Sequence, residues 1–258
     1  MFLQVLIALT VTGGLLALPV GYALAGLALR PLDAAVRERS EFVALASHQL
    51  RTPLSVIRTA AELARAGRGV TPDEALRTTL EQTERMEALA ARLTALAHAE
   101  AGSKVAAGRA DLARAAEAVV AGLDPAARQG GVGLTLDAPG PAWALAEQDE
   151  AADVLTALVE NAIRFSPRGR TVTVTVRAED GRAIASVPDE GPGISPEDLP
   201  HVANPFYQGR NATGGYGLGL AIARAIVERR RGHLSITSPP GQGTVVRVTL
   251  PGARNVTT

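Results

Sequence analysis

The sequence predicts an α+β protein in three parts. These are an amino-terminal transmembrane helix, a helical hairpin that pairs with a second copy as a four-helix bundle, and an α/β sandwich. Three observations carry the prediction. Phe2 to Leu29 holds no charged residue; apolar residues from Val43 to Leu96 recur at helical spacing; and beyond Gly108 helical stretches alternate with strand-like runs such as "TVTVTVR" and with glycine-rich turns. The predicted bounds are 1–29 for the membrane helix, 30–40 for a short linker, 41–100 for the hairpin and 109–252 for the sandwich.

The charge-free run is 28 residues long. As a helix it spans roughly 42 Å, enough to cross a hydrocarbon core of about 30 Å with tilt. Gly13, Gly14, Pro19 and Gly21 lie within it, and transmembrane helices tolerate such residues. No basic residue precedes the run and it is too long for the apolar core of a signal peptide. Arg30, Arg37 and Arg39 follow it. The positive-inside rule then predicts a single-pass protein of the inner membrane with everything after Leu29 in the cytoplasm.

In the hairpin, Val43, Ala46, Leu50, Pro53, Ile57, Ala60 and Ala64 alternate at spacings of three and four, the seam of a bundle. Gly67-Arg68-Gly69 breaks the pattern. Thr71 then caps a second helix, with Pro72 at its first position and Glu74 completing a capping box. Leu76, Leu80, Met86, Leu89, Leu93 and Leu96 form the apolar side of that helix. One hairpin buries only part of such a surface, so the pattern predicts a homodimer. In the sandwich, 111–121, 149–164 and 218–229 read as helices, while 171–177, 183–187 and 244–250 read as strands. His233 opens a further strand, and Trp143 is expected in the core.

Composition excludes several classes. With 26 basic and 26 acidic residues the net charge is zero, which gives no electrostatic footprint for nucleic acid. The absence of cysteine excludes disulfides, thiolate metal sites and a cysteine nucleophile. His98, His201 and His233 are scattered without the spacing of a zinc site. "ERRRG", Glu228 to Gly232, reads as cations set against a helix carboxyl end.

The chemistry concentrates in four strings. His48, in "SHQLRTPL", points off the seam through Ala46 and Leu50, and Thr52 shares its exposed face. Pro53 lacks an N–H and is expected to bend the helix. "DEGPG", "GGYGLGL" and "GQGT" are turns in which backbone N–H groups can approach phosphates, and the second directly precedes a helix.

Together with "LVENAIRFSP", these strings resemble the boxes of the bacterial two-component sensor histidine kinases, over about Arg30 to Pro251. "SHQLRTPL" resembles the phosphoacceptor box, "LVENAIRFSP" the asparagine box, "VPDEGPGI", "GYGLGLAIA" and "GQGT" the three glycine boxes. The resemblance implies a gyrase-like (Bergerat) ATP-binding sandwich, autophosphorylation of a histidine from ATP, and passage of the phosphoryl group to an aspartate on a response regulator receiver domain. By the same resemblance His48 is the acceptor, with Gln49 and Thr52 beside it. Asn161 holds Mg²⁺ and Arg164 contacts the phosphates. Asp189 accepts from the adenine amino group, and Gly191 and Gly193 form the turn under the nucleotide. Gly215, Gly217, Leu218 and Gly219 belong to the phosphate end, and Thr244 sits near the adenine. This division of labour suits phosphoryl transfer, which needs positioning and charge neutralisation more than covalent help.

Four features depart from the family pattern. Gln49 stands where the family has a carboxylate, and an amide can orient an imidazole but cannot take its proton. Ala157 occupies the first asparagine of its box. In "HVANPFYQG", Ala203 replaces an aromatic and Pro205 an arginine. Only a short stretch separates Arg30 from Ser40, so a sensor or relay module is expected to be absent or to lie outside this sequence. Gln49 and Ala157 motivate the alternative of a catalytically weak ATP-binding scaffold that dimerises and docks a regulator.

Overall fold

The computed structural model describes residues 42–100, 108–209, 214–239 and 241–253, together with positions 2 and 40. The membrane helix predicted over 2–29 therefore lies, Phe2 apart, outside the described residues. Among the described residues no helix is long and apolar enough to cross a membrane. The chain divides into two compact units, Met1–Ser55 and Val56–Thr258.

Helix α1 covers residues 42–65 and continues through Pro53 without a break. The chain then turns at Gly67 and Gly69, both with positive φ. Helix α2, Pro72–Glu100, starts where predicted. The Thr71 N–H donates to Glu74 Oε2 at 2.8 Å and the Glu74 N–H to Thr71 Oγ1 at 3.2 Å, which closes the capping box. Leu89, Leu96 and Ala99 are buried on α2, whereas Leu76 and Leu80 are 58% and 57% exposed.

The rest of the second unit is a two-layer α/β sandwich. A five-stranded mixed sheet has the order β2-β4-β5-β7-β6, with β2 Gly133–Asp137, β4 Thr171–Glu179, β5 Arg182–Asp189, β6 His233–Thr237 and β7 Thr244–Pro251. Only the β2–β4 pair is parallel. A second sheet pairs β1, Arg109–Asp111, with β3, Trp143–Leu145. Helices α3, Leu112–Gly130, α4, Gln148–Phe165, and α5, Gly219–Arg229, supply the other layer. Period-two patterning explains the core. Val172, Val174 and Val176 on β4, Ala183, Ala185 and Val187 on β5, and Val246, Val248 and Leu250 on β7 are buried, as are Val154, Leu155 and Leu158 of α4 in the helical layer. Each fully buried valine or leucine side chain contributes about 1.5–3 kcal/mol.

The structure changes some of the predicted elements. Helix α3 runs nine residues beyond its predicted end at Ala121 (130 − 121) and carries Pro125 inside it. Proline there removes one intrahelical hydrogen bond. Burial of Ala127 and a left-handed cap at Gly131, whose N–H reaches the Arg128 carbonyl at 2.9 Å, carry the helix past it. Strands β1, β2 and β3 were not predicted. Trp143 is only half-buried, with the Arg109 guanidinium 4.5 Å from its ring centroid.

Candidate functional site

In the first unit, His48 and Thr52 are exposed one turn apart on α1, and Gln49 is half-buried between them. The Thr52 hydroxyl donates to the His48 carbonyl at 3.4 Å, a back-bond along the helix that leaves the imidazole outward.

The second unit holds a cleft between α4, the loop after β5 and the glycine loop before α5. Asn161, Arg164, Asp189, Gly193, Gly217, Gly219 and Thr244 line it, so seven of the ten cofactor residues expected from sequence converge there. The other three, Gly191, Gly215 and Leu218, serve its walls. A Cβ at Gly191 would stand 2.8 Å from the Phe165 carbonyl oxygen. Gly215 abuts the Arg164 guanidinium. The Leu218 side chain is wholly buried, which seats the start of α5.

Asp189 ends β5. Its Oδ1 accepts from the Gly191 N–H at 2.8 Å and the Thr244 N–H at 3.2 Å. Burial pushes its carboxyl above the ordinary range, against these hydrogen bonds. Gly243 lies so close to the Asp189 carbonyl that a side chain has no space, and its φ of 80° suits glycine alone. Ser238, buried and unforeseen in the sequence, ties this corner together. Its hydroxyl accepts from the Ile194 N–H at 2.8 Å, lies 2.9 Å from Thr244 Oγ1, and donates to the Gly243 carbonyl at 3.0 Å.

Helix α5 points its amino terminus at the cleft through Gly219 and Leu220, so its unpaired N–H groups and dipole favour an anion there. Gly217, at φ 67°, lets its loop lie against Phe206 and Tyr207, and its carbonyl accepts from the Phe206 N–H at 2.9 Å. Ala203 is buried here in place of the expected aromatic. Ala157, also buried, faces Gly219 with its Cβ 3.6 Å from where a glycine Cβ would stand. On Arg164, burial and then the nearby charge of Arg92 lower the guanidinium's pKa, while Glu160 opposes them.

Sequence reading missed Arg92, Glu160, Asp198 and Tyr207 as lining residues. Glu160 and Tyr207 lie within strings already singled out, whereas Arg92 sits on a helix assigned to the other predicted domain. The "ERRRG" cluster is not merely a helix-end cation group. Arg229 pairs with Glu150, Arg230 Nε lies 2.7 Å from Glu150 Oε2, and Glu150 also accepts from the Glu147 N–H at 2.9 Å at the start of α4.

Two family models match the chain. Residues 38–102 match the His Kinase A (phospho-acceptor) domain, and 146–254 match the histidine kinase-, DNA gyrase B-, and HSP90-like ATPase. Sensor histidine kinase YkoH of Bacillus subtilis is 34% identical over 81% of this chain and 47% of its own length. Sensor-like histidine kinase SenX3 of Mycobacterium tuberculosis is 31% identical over 83% of this chain and 54% of its own. The chain spans about half the length of these relatives. Among solved structures, Acinetobacter baumannii histidine kinase AdeS superposes with a TM-score of 0.66 at 24% identity, covering 80% of this chain and 98% of that one, which supports the fold. Full-length ShkA, solved with AMPPNP, gives 0.61 at 22% identity over 83% of this chain and 46% of its own. A phosphoacceptor module followed by an ATPase module, each matched separately and in that order, places this chain in the two-component sensor histidine kinase family.

Proposed function

We propose that the chain is an ATP-dependent protein histidine kinase, which autophosphorylates His48 and passes the phosphoryl group to an aspartate of a response regulator. The observation that carries this reading is the convergence of Asn161, Arg164, Asp189 and Thr244 on one cleft at the amino terminus of α5. The Asp189 carboxylate is held through Oδ1 and keeps further lone pairs for the adenine amino group. Arg164 and the α5 amino terminus face the negative charge of the phosphates. Asn161 offers the amide oxygen that a hard cation accepts. Mg²⁺ held there would neutralise phosphate charge and keep most of its ligands as water and phosphate oxygens. Among the described residues no trio of acidic or histidine side chains could hold a metal on its own.

The exposed imidazole of His48 attacks the γ-phosphorus of ATP as the neutral tautomer, the bond from that phosphorus to the bridging oxygen breaks, and ADP leaves. Gln49 orients the imidazole in this reading, and the proton leaves to solvent. The hairpin 41–100 pairs with a second copy through the exposed apolar side chains of α1 and α2, and the domain 109–252 carries ATP. Residues 2–29, free of charge and followed by arginines, anchor the chain in the inner membrane with the catalytic part in the cytoplasm.

Incubation with γ-³²P-ATP and Mg²⁺ tests the reading. Native chain should take up acid-labile, base-stable label, and His48→Ala should take up none. Gln49→Glu, which supplies a base, should label faster than native. A native chain that binds ATP but stays unlabelled would establish the scaffold alternative that Gln49 and Ala157 motivate.

A further inference from the structure

Helix α2 reaches the cleft from outside the sandwich. Arg92, on α2, lines the cleft with Arg164 and Asn161. Its Nη2 donates to Glu160 Oε2 at 2.7 Å, with the two side chains 28% and 30% exposed. The positive charge of Arg92 acts on Arg164 as well. Two guanidiniums therefore border one cleft beside a single glutamate, an arrangement that a further anion stabilises. The position of Arg92 is fixed from both sides along α2. Tyr216, within the glycine loop, donates from its hydroxyl to the Arg85 carbonyl at 2.7 Å. Arg229 Nη1 donates to the His98 carbonyl at 2.5 Å, and Leu89 and Leu96 are buried where α2 meets α5.

Resting on the reading of the cleft as an ATP pocket, we infer that Arg92 is a nucleotide-binding residue supplied by the hairpin, whose guanidinium exchanges Glu160 for a phosphate oxygen of ATP. The planar guanidinium fork matches phosphate oxygens as well as it matches a carboxylate, and a polyphosphate offers more negative charge than one glutamate. Glu160 holds the fork aimed at the cleft until the stronger anion takes it. The contact is blind to adenine, so it separates ATP from adenosine. It also gives the hairpin a residue whose partner depends on the nucleotide.

Isothermal titration of the full chain with ATP and with adenosine decides this. Arg92→Ala should weaken ATP binding about tenfold, the scale of a charge-assisted hydrogen bond in a part-exposed site, and leave adenosine binding unchanged. Arg92→Lys, which keeps the charge without the fork, should recover part of the loss, and Arg92→Gln should not. This pair of long polar side chains carries the comparison if the alanine variant melts early. Unchanged ATP affinity in Arg92→Ala and Arg92→Gln overturns the inference, as does an equal loss for ATP and adenosine, which would mark a structural role. A native chain that binds neither ligand overturns the ATP-pocket reading itself, and the role of Arg92 with it.

Discussion

The Asp189 carboxyl is half-buried and accepts two backbone hydrogen bonds through a single oxygen. "DEGPG" marks it as a turn residue, but its electrostatics come from Thr244, 55 positions later, and from burial. Its carboxyl is raised, so the folded chain holds this proton to higher pH than the unfolded chain does. Its ionisation therefore costs stability as pH climbs above the unfolded value, and that cost is absent below it. An ionised carboxylate accepts from an adenine amino group more strongly than the protonated acid does. Adenosine affinity should accordingly fall, on acidification, at a pH above the usual aspartate value of about 4. Asp189→Asn should lose this pH step and bind adenosine about tenfold or more weakly at neutral pH. Binding isotherms across the acid range check both; an aspartate-like step that survives in the asparagine variant would refute the assignment. Arg92 is the contrasting case. Nothing around it in the sequence separates it from an ordinary solvent-facing helix arginine, since Glu160 lies 68 positions away.

Among the elements, periodicity served the long segments. The alternation of β4 and the capping signals at Thr71 had one reading each, and the structure follows them. Strand β2 failed to stand out because it is five residues long, opens on Gly133, and draws its identity from parallel pairing with β4. The α5 carboxyl end was misjudged for a similar reason. Arg229 and Arg230 are held less by the dipole of their own helix than by Glu150 of α4. Burial pulls the Glu150 carboxyl up, but the Arg230 hydrogen bond, the Glu147 N–H and the two arginine charges together hold it below the ordinary range. A depressed carboxyl contributes stability above the unfolded value of about 4.3 and loses it as pH falls through the folded value. Glu150→Ala strands two half-buried guanidiniums and should cost about 2–4 kcal/mol at pH 7. The difference from native should shrink on acidification below pH 4, as read by denaturant unfolding at both pH values. A difference independent of pH would place the stabilisation elsewhere.

For the whole molecule, the order of a helical hairpin before an α/β ATP-binding module was legible, but the place of α2 was not. Its apolar side reads as one continuous stripe. In the fold Leu89 and Leu96 are buried, while Leu76 and Leu80 stay exposed toward the hairpin turn. The stripe therefore serves two surfaces, one against α5 and one exposed, which the proposed second copy would cover. Leu76→Ser with Leu80→Ser should raise the dimer dissociation constant about 10⁴-fold or more, since four leucines leave the interface at about 1.5–3 kcal/mol each. Sedimentation velocity over a concentration series reads this, and an unchanged association would remove these residues from the dimer face.

By itself the sequence determined the order of modules, the outward histidine, and seven of the residues that line the cleft. Each of these rests on local signals: a helical period, a capping box, glycine turns ahead of a helix. The tertiary structure alone decided which charges meet. Arg92 with Glu160, and Arg229 and Arg230 with Glu150, are pairings set by how helices and loops pack. Coulomb and hydrogen-bond energies depend on distance in space, which separation along the chain does not reveal.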